Sequence, residues 1–209
     1  MHYFDQKYLS ELDHLFRINL VNSSSGFKSS NLIGTKSKDG ISNVAVFSSV
    51  IHLGSNPPLM GFITRPTTVP RNTYKNIKET GCYTINHIYE DIIEDAHHSS
   101  AKYDASVSEF SVTNLQEAYD HACFAPFVKG APVQLHMKFR EEHPLKINGT
   151  ILVIGEIMGL YVKKELLKED GFIDLSEGKV SAINGLDAYT IPTLKKRLPY
   201  QRPKQMIKH

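Results

Sequence analysis

An uncharged stretch in the first third of the chain constrains the fold most. Residues 41–64 contain no Asp, Glu, Lys or Arg. In this part of the chain, "ISNVAVFSSVIHL" (41–53) and "LMGFITR" (59–65) have the apolar and β-branched character of strands, and "GSNPP" between them is a turn signal. Because neither face of 41–53 carries a charge, we expect a central strand that is buried on both sides.

Further strands follow at hairpin spacing. Asp39-Gly40 predicts a tight hairpin between "NLIGTKS" (31–37) and the uncharged strand, and no helical pattern interrupts residues 31–65. Three later segments also have strand character, at 82–89, 132–139 and 149–162. This order favours a mainly β fold of the α+β class, an antiparallel barrel with peripheral helices. The absence of GxGxxG and GxxxxGK[ST] motifs excludes the Rossmann and P-loop routes to nucleotide binding.

Apolar residues at helical spacing predict three peripheral helices, over 4–16, from Pro70 or Arg71 to Thr80, and over 91–103. Asp5 suits the N-cap of the first helix, and Gly81 suits the C-cap of the second. A chain of 209 residues fits one domain. We expect an N-terminal helix within 1–19, a core over about 20–165, and a C-terminal extension over 166–209.

Composition excludes several classes of protein. The net charge of +2 is too balanced for an obligate nucleic-acid coat, and no apolar run approaches the length of a membrane helix. The start "MHYFD" lacks the character of a signal peptide, so we expect a cytoplasmic protein with no membrane partner. Cys82 and Cys123 are far apart and form neither a CxxC pair nor a zinc pattern, so the spacing predicts no metal site.

The junction "GFITRPTTVPRNTYKNI" (61–77) is rich in groups that bind anions. Its basic and hydroxyl side chains, with no acidic residue among them, are Arg65, Thr67, Thr68, Arg71 and Thr73. Arginine binds oxyanions, and the following helix offers unpaired N–H groups and the positive end of its dipole. An anion, most simply a phosphate, fits this place. The alternative is a polar turn in which solvated arginines and threonines only begin a helix.

The uncharged strand also allows two interpretations. Its small neutral donors and acceptors are Ser42, Asn43, Ser48 and Ser49. Buried polar groups need partners, and nearby backbone would supply them in an ordinary barrel strand. A flat heteroaromatic ligand with ring nitrogens and carbonyls would supply them equally well, with Ala45 letting a ring lie against the backbone.

Taken in order, these segments resemble a known family. "NLIGTKSKDGISNVAVFSSVIHLGSNPPLMGFITRP" followed by "PRNTYKNIKETGCYTINHI" is similar to flavin reductase-like proteins of the FMN-binding split-barrel fold. "SSAKY" (99–103) and "NGTILVIGEI" (148–157) resemble later segments of the same family. The order and spacing of these individually weak motifs carry the resemblance over residues 20–165.

The resemblance implies a six-stranded antiparallel split β-barrel with Greek-key character, which forms a homodimer with FMN near the interface. The strand from Asn43 to Ser49 would lie along the isoalloxazine ring, with bonds from the backbone around Ala45 and Phe47 and from the hydroxyl of Ser48 or Ser49. The phosphate would be held by Arg65, Thr67, Thr68, Arg71 and Thr73. Asn31 and Lys102 match family positions that reach the flavin.

The implied activity is that of a flavin reductase, in which NADH or NADPH passes a hydride to the flavin, which then reduces free flavin or an acceptor protein. No catalytic side chain is required for that transfer. The chain departs from the family at Asn148-Gly149-Thr150, where many members have a His, and at Thr190, which replaces a His after Tyr189. These departures concern residues that would contact a nicotinamide, and the residues expected to bind FMN are unaffected.

Two alternatives remain open at this point. The first is an FMN-binding electron carrier or flavin-storage protein without its own nicotinamide site. The second is a small barrel that binds nucleic acid or a protein through its basic C-terminal tail, whose cations are Lys195, Lys196, Arg197, Arg202, Lys204 and Lys208. Nucleic-acid binding is the weaker alternative, because Tyr200 is the one aromatic residue in that tail and single-strand binding needs stacking platforms.

Overall fold

The computed structural model of the protein describes residues 1–120 and 122–203. In chain order its helices and strands are α1 Gln6–Glu11, α2 His14–Ser24, β1 Lys28–Ser29, β2 Asn31–Lys36, β3 Ser42–Phe47, β4 Ile51–Ser55, β5 Pro58–Thr64, α3 Asn72–Thr80, β6 Cys82–His87, α4 Ile93–His98, β7 Glu117–Ala118, β8 Phe127–Val128, β9 Val133–Leu145, β10 Thr150–Val162, β11 Ala182–Asn184 and β12 Ala188–Thr190. None of the helices in these residues has the length and apolar character needed to cross a membrane.

A seven-stranded antiparallel sheet forms the body of the molecule, in the order β3-β2-β6-β9-β10-β5-β4. The mainly β, antiparallel class predicted from the sequence is confirmed, with seven strands in this sheet in place of the six expected. The hairpin predicted at Asp39-Gly40 joins β2 to β3. Its connection spans five residues, because Lys36 is opposite Ser42 in the register.

The prediction of one central strand over 41–53 is wrong, because this segment forms two strands at the edges of the sheet. The chain leaves the sheet at Ser48–Val50, so β3 and β4 are separate strands and occupy the two opposite edges of the sheet. β3 is buried only in its first half, and Ile51 and Leu53 of β4 are exposed. The physical reason is that β3 pairs with β2 alone, so its other long edge is left for groups outside the sheet.

The barrel core lies between the coiled sheet and α3. Phe62, Tyr83 and Met137 from three strands pack with Ile77 of α3, and all four are almost fully buried. Gly81 ends α3 in the left-handed conformation (φ 70°), as the sequence predicted. Pro70, expected in the first turn, precedes the helix, which begins at Asn72 after the N-cap residue Arg71.

The long strands β9 and β10 bend where β10 shifts register. The shifts fall between Ile154 and Gly155 and between Ile157 and Gly159. A side chain on Gly155 would meet the Tyr83 hydroxyl, because its Cβ would lie 2.1 Å from that oxygen. The bulge therefore depends on a glycine that lets a core tyrosine approach the backbone.

The N-terminal segment folds as two helices in place of the single helix expected over 4–16. Asp5 caps α1 by accepting a hydrogen bond from the Tyr8 N–H, as predicted, but Asp13 caps a second helix in the same way and so divides the segment. No residue of α1 or α2 is fully buried, and Leu9, Ile18 and Leu20 are half-buried.

The helix expected over 91–103 is also shorter. It consists of a 3-10 turn at Glu90–Ile92 followed by α4, and it ends at His98.

The C-terminal extension returns to the start of the core. Its strands β11 and β12 form a small sheet with β1 in the order β1-β11-β12. In the tail, Arg197 pairs with Asp170 and lies over the Phe172 ring, 4.1 Å from its centroid. This cation of the basic tail is thus engaged within the chain, and Lys204 and Lys208 lie outside the described residues.

Candidate functional site

The free edge of β3 offers backbone groups to a ligand. The Val44 N–H donates a 3.1 Å hydrogen bond to Glu109 Oε2, so the Val44 backbone points away from β2. In an antiparallel ladder this direction alternates, so the Val46 backbone also points outward. By the same alternation the backbone of Ala45 and Phe47 turns toward β2. A planar ligand on this edge would therefore reach Val46, one residue from each of the two positions named from the resemblance.

Glu109 covers the first half of that edge. It belongs to a 3-10 turn at Glu109–Ser111, and its buried carboxylate takes the Val44 N–H. Burial raises the pKa of Glu109 above its usual value. None of the hydrogen bonds among the described residues reaches the outward side of Val46. The segment after α4 therefore packs on the start of β3 and stops short of its second half.

The junction between β5 and α3 is built like an anion site. The N-cap residue Arg71 has an extended backbone and makes no side-chain capping bond, and the first turn of α3 contains no acidic residue. The N–H groups of that turn consequently lack the usual capping oxygen. The Arg71 Nε donates to the Pro66 carbonyl at 3.3 Å, and no hydrogen bond to a described residue engages the two outer guanidinium nitrogens. Arg65, Thr67 and Thr68 are exposed on the same short loop.

A buried hydrogen bond connects this junction to the free edge. Asn43 of β3 donates from Nδ2 to Thr73 Oγ1 at 3.1 Å, and both side chains are buried. A second bond of the same length runs from Asn76 Nδ2 to Thr35 Oγ1. These two bonds fix the first turns of α3 against β2 and β3. A ligand that spans the edge and the helix N-terminus would meet a rigid frame.

The serines after β3 have different surroundings. The Ser49 hydroxyl donates to the Ile63 carbonyl (3.1 Å) and accepts from the Ile63 N–H (3.0 Å). These two bonds replace the backbone hydrogen bonds that a neighbouring strand would make to β5 at this position. The half-buried Ser48 hydroxyl makes no hydrogen bond to any described residue. Of the two, Ser48 has the freer hydroxyl for a ligand.

The remaining candidates, Asn31, Phe47 and Lys102, differ in burial and in their contacts. The Asn31 side chain is buried and donates to Ser29 Oγ at 3.0 Å, and the Phe47 ring packs edge-to-face on Phe62. Lys102 is exposed in the irregular segment after α4. No hydrogen bond or ion pair among the described residues joins Lys102 to β3. Strand pairing and a buried hydrogen bond thus connect the candidates on β2 and β3 with Thr73 of the junction, and a contact of Lys102 with a ligand stays a prediction.

A cavity of about 480 Å³ opens beside the end of β3, between the barrel and the C-terminal extension. Its mainly apolar wall includes Phe27, Ser29, His87, Phe172, Leu175 and Ala182. The Ser29 hydroxyl donates to the Val50 carbonyl at 2.9 Å, which places the cavity next to the segment that follows β3. Burial lowers the pKa of His87 to about 4, so the imidazole is neutral at physiological pH.

Sequence reasoning missed Val46, Glu109 and this cavity. The outward direction of Val46 depends on the register of β2 and β3, which no local pattern reveals. Glu109 lies in a polar segment that gave no structural signal. The cavity joins residues from both ends of the chain.

Comparison with known proteins places these features in a family context. Residues 25–177 match the model of a family described as flavin reductase like domain. A candidate flavin reductase with a split barrel domain from Shewanella frigidimarina NCIMB 400 is 47% identical, with a TM-score of 0.93 over 96% of this chain and 100% of that one. Nitrilotriacetate monooxygenase component B from Bacillus cereus is 20% identical, with a TM-score of 0.82 over 95% and 98% of the two chains.

A further solved structure is an FMN-binding protein from Thermus thermophilus with 1-cyclohex-2-enone bound. It is 16% identical, with a TM-score of 0.72 over 85% of this chain and 93% of that one. At these identities the Bacillus and Thermus proteins support the split-barrel fold alone.

Proposed function

This chain belongs to the flavin reductase-like family, and we propose that it is an oxidoreductase that binds FMN along the free edge of β3. The observation that carries the proposal is the uncapped first turn of α3 beside Arg71, held to that edge through Asn43 and Thr73. An anion at one end and outward backbone groups at the other fit a ligand with a phosphate and a flat heteroaromatic ring.

In this proposal the junction binds the phosphate. Its oxygens accept hydrogen bonds from the N–H groups of the first turn of α3 and from the outer guanidinium nitrogens of Arg71. On the exposed side, Arg65 adds positive charge, and Thr67 and Thr68 add hydroxyl donors. The Val46 backbone and the Ser48 hydroxyl bond the edge of the ring. The match of residues 25–177 to a flavin reductase like domain supports the choice of flavin.

The electron donor in the proposal is NADH or NADPH. Bound FMN would accept a hydride from the nicotinamide and pass electrons to free flavin or to an acceptor protein. The cavity beside Ser29 and His87 is the place for the second reactant, because its apolar wall suits a planar ring and it adjoins the end of β3. Neutral His87 presents no charge to repel a cationic nicotinamide product.

The first test is a flavin titration. FMN should bind more tightly than riboflavin, which has the same ring and no phosphate, by about tenfold or more. Anaerobic NADH or NADPH should then bleach the bound flavin within seconds. Flavin that binds but keeps its absorbance bands would favour the electron carrier or storage protein, and a protein that binds neither flavin would contradict the proposal.

We propose further that the protein is a homodimer. The helices α1 and α2 expose Tyr8, Leu15, Phe16 and Val21, and none of their residues is fully buried in its own chain. Helices with an apolar face need a surface to cover it, and a second copy of this chain also offers the exposed Ile51 and Leu53 of the edge strand β4.

Light scattering should give twice the chain mass. The double variant Leu15→Asp/Phe16→Asp should then fall toward the monomer mass, whereas Ser10→Asp, at an exposed polar position nearby, should not. A wild-type monomer at micromolar concentration would refute the dimer without bearing on flavin binding.

A further inference from the structure

A cluster of two thiols and an imidazole lies outside the flavin site. Cys82 begins β6, Cys123 lies in the loop between β7 and β8, and His136 is on β9. The two sulfur atoms are 3.2 Å apart, and Cys82 Sγ is 3.7 Å from His136 Nε2. All three potential ligand atoms lie within 4.8 Å of one another. Sequence spacing concealed this cluster, because the fold brings together three separate segments.

The distances fit a shared metal ion better than a disulfide. In tetrahedral zinc coordination, with Zn–S of about 2.3 Å and Zn–N of about 2.0–2.1 Å, neighbouring ligand atoms are about 3.5–3.8 Å apart. The sulfur–nitrogen separation of 3.7 Å is within about 0.2 Å of the zinc value, and the sulfur–sulfur separation of 3.2 Å is about half an ångström shorter than the ~3.8 Å expected for two thiolates on one zinc ion. A disulfide would require the two sulfur atoms to close by more than 1 Å, to about 2.05 Å.

The surroundings also suit a divalent cation. Two thiolates and a neutral imidazole compensate a charge of +2, so the site would be neutral in a partly buried place. Cys82 and His136 are only half-buried, so a water molecule can reach the fourth coordination position.

We propose that Cys82, Cys123 and His136 bind one zinc ion per chain. The ion fastens the β7–β8 loop to strands β6 and β9. The same hairpin reaches the flavin edge, because Glu117 of β7 accepts a hydrogen bond from Ser42 at the start of β3. Zinc therefore supports the segment that packs on β3, and it takes no part in electron transfer.

Zinc competition with a chromophoric chelator tests the site in the full-length, chemically reduced protein. The wild type should bind one zinc per chain, and cysteine-to-serine variants at Cys82 or Cys123 should weaken binding by about a hundredfold. His136→Asn should weaken it by about tenfold or more. His143→Asn, an exposed histidine on the same strand, should bind zinc like the wild type.

Two further readouts test the site, and the first of them requires no variant. Cadmium NMR of the wild-type protein should give the chemical shift of a site with two thiolate ligands, and zinc should raise the melting temperature of the wild type but not of the Cys82→Ser/Cys123→Ser variant. The proposal is overturned if the wild type binds no stoichiometric zinc, if binding survives in the double variant, or if native protein contains a Cys82–Cys123 disulfide.

Discussion

Asn43 Nδ2 donates a 3.1 Å hydrogen bond to Thr73 Oγ1, and this bond joins the free edge strand β3 to the first turn of α3. One residue belongs to the proposed ring site and the other to the proposed phosphate site. The relative position of the two sites is thus set by a buried side-chain pair, independently of the exposed loop between them.

Removing the acceptor should weaken both the fold and the ligand site. Thr73→Val keeps the shape of the side chain but leaves the buried Asn43 amide without its partner, which costs about 1–3 kcal/mol of unfolding free energy. Thr73→Ser keeps the hydroxyl and should cost less. Urea denaturation and FMN titration of the two variants measure both effects, and equal values for Val and Ser would contradict the role of the bond.

Arg71→Ala should weaken FMN binding by about tenfold and leave riboflavin binding unchanged, because the proposal assigns the guanidinium to the phosphate and riboflavin has none. The matched control is Lys75→Ala, an exposed cation one turn later on the same helix. Fluorescence titration with both flavins checks the difference. An equal loss for FMN and riboflavin would show that Arg71 supports the loop and does not contact phosphate.

Ala182→Trp should fill part of the cavity beside His87. If the second reactant binds there, KM for NADH or NADPH rises by about tenfold or more while FMN affinity stays constant. Steady-state kinetics and a flavin titration separate the two quantities. Unchanged KM in a folded variant would exclude the cavity as the nicotinamide site.

Acid should destabilise the protein through His87. Its pKa is about 4 in the folded chain, against 6.5 for an exposed histidine. Between pH 6.5 and 4 the unfolded chain binds a proton that the folded chain does not, so unfolding free energy falls as pH falls, by at most about 3.4 kcal/mol. Above pH 6.5 this contribution is constant.

The variant His87→Gln should flatten that part of the pH profile, and His143→Gln, at an exposed position, should leave it unchanged. Denaturation curves at several pH values measure the slopes. A wild-type slope retained in His87→Gln would assign the acid sensitivity to other groups.

The contact between Gly155 and Tyr83 should show strong coupling. The buried Tyr83 hydroxyl has no hydrogen-bond partner among the described residues, so Tyr83→Phe should leave stability unchanged or raise it by about 1 kcal/mol. Gly155→Ala should be strongly destabilising, and adding Tyr83→Phe should recover part of the loss. Purely additive effects in thermal denaturation would contradict the contact.

Local chemistry made much of this fold predictable from the sequence. Asp5 and Gly81 act as the caps that their side chains predict, and the strands at 31–37 and 82–89 fall within a residue or two of β2 and β6. The division of the predicted strand 41–53 was not predictable, because no Gly or Pro marks it. At the division the Ser49 hydroxyl accepts a hydrogen bond from the Ile63 N–H of β5, and no local pattern in 41–53 reveals this contact with a later strand.

The residues of the candidate site could be predicted from the sequence, but the directions in which the backbone groups of β3 point could not. Arg71 and Thr73 flank the start of α3 as the helix pattern predicts. Which backbone groups of β3 face outward depends on pairing with β2, and the cover over Val44 comes from Glu109, far along the chain. Such pairings are tertiary, so a single sequence contains no local signal for them.

The free edge of β3 also bears on solubility. An unpaired strand edge is a template for another strand, and natural proteins shield such edges with charge, helices or loops. Here Glu109 shields Val44, while uncharged residues follow it along the strand. Any ligand that settles on Val46 therefore also protects the protein from edge-to-edge association, and the ligand-free form should be the one that aggregates first.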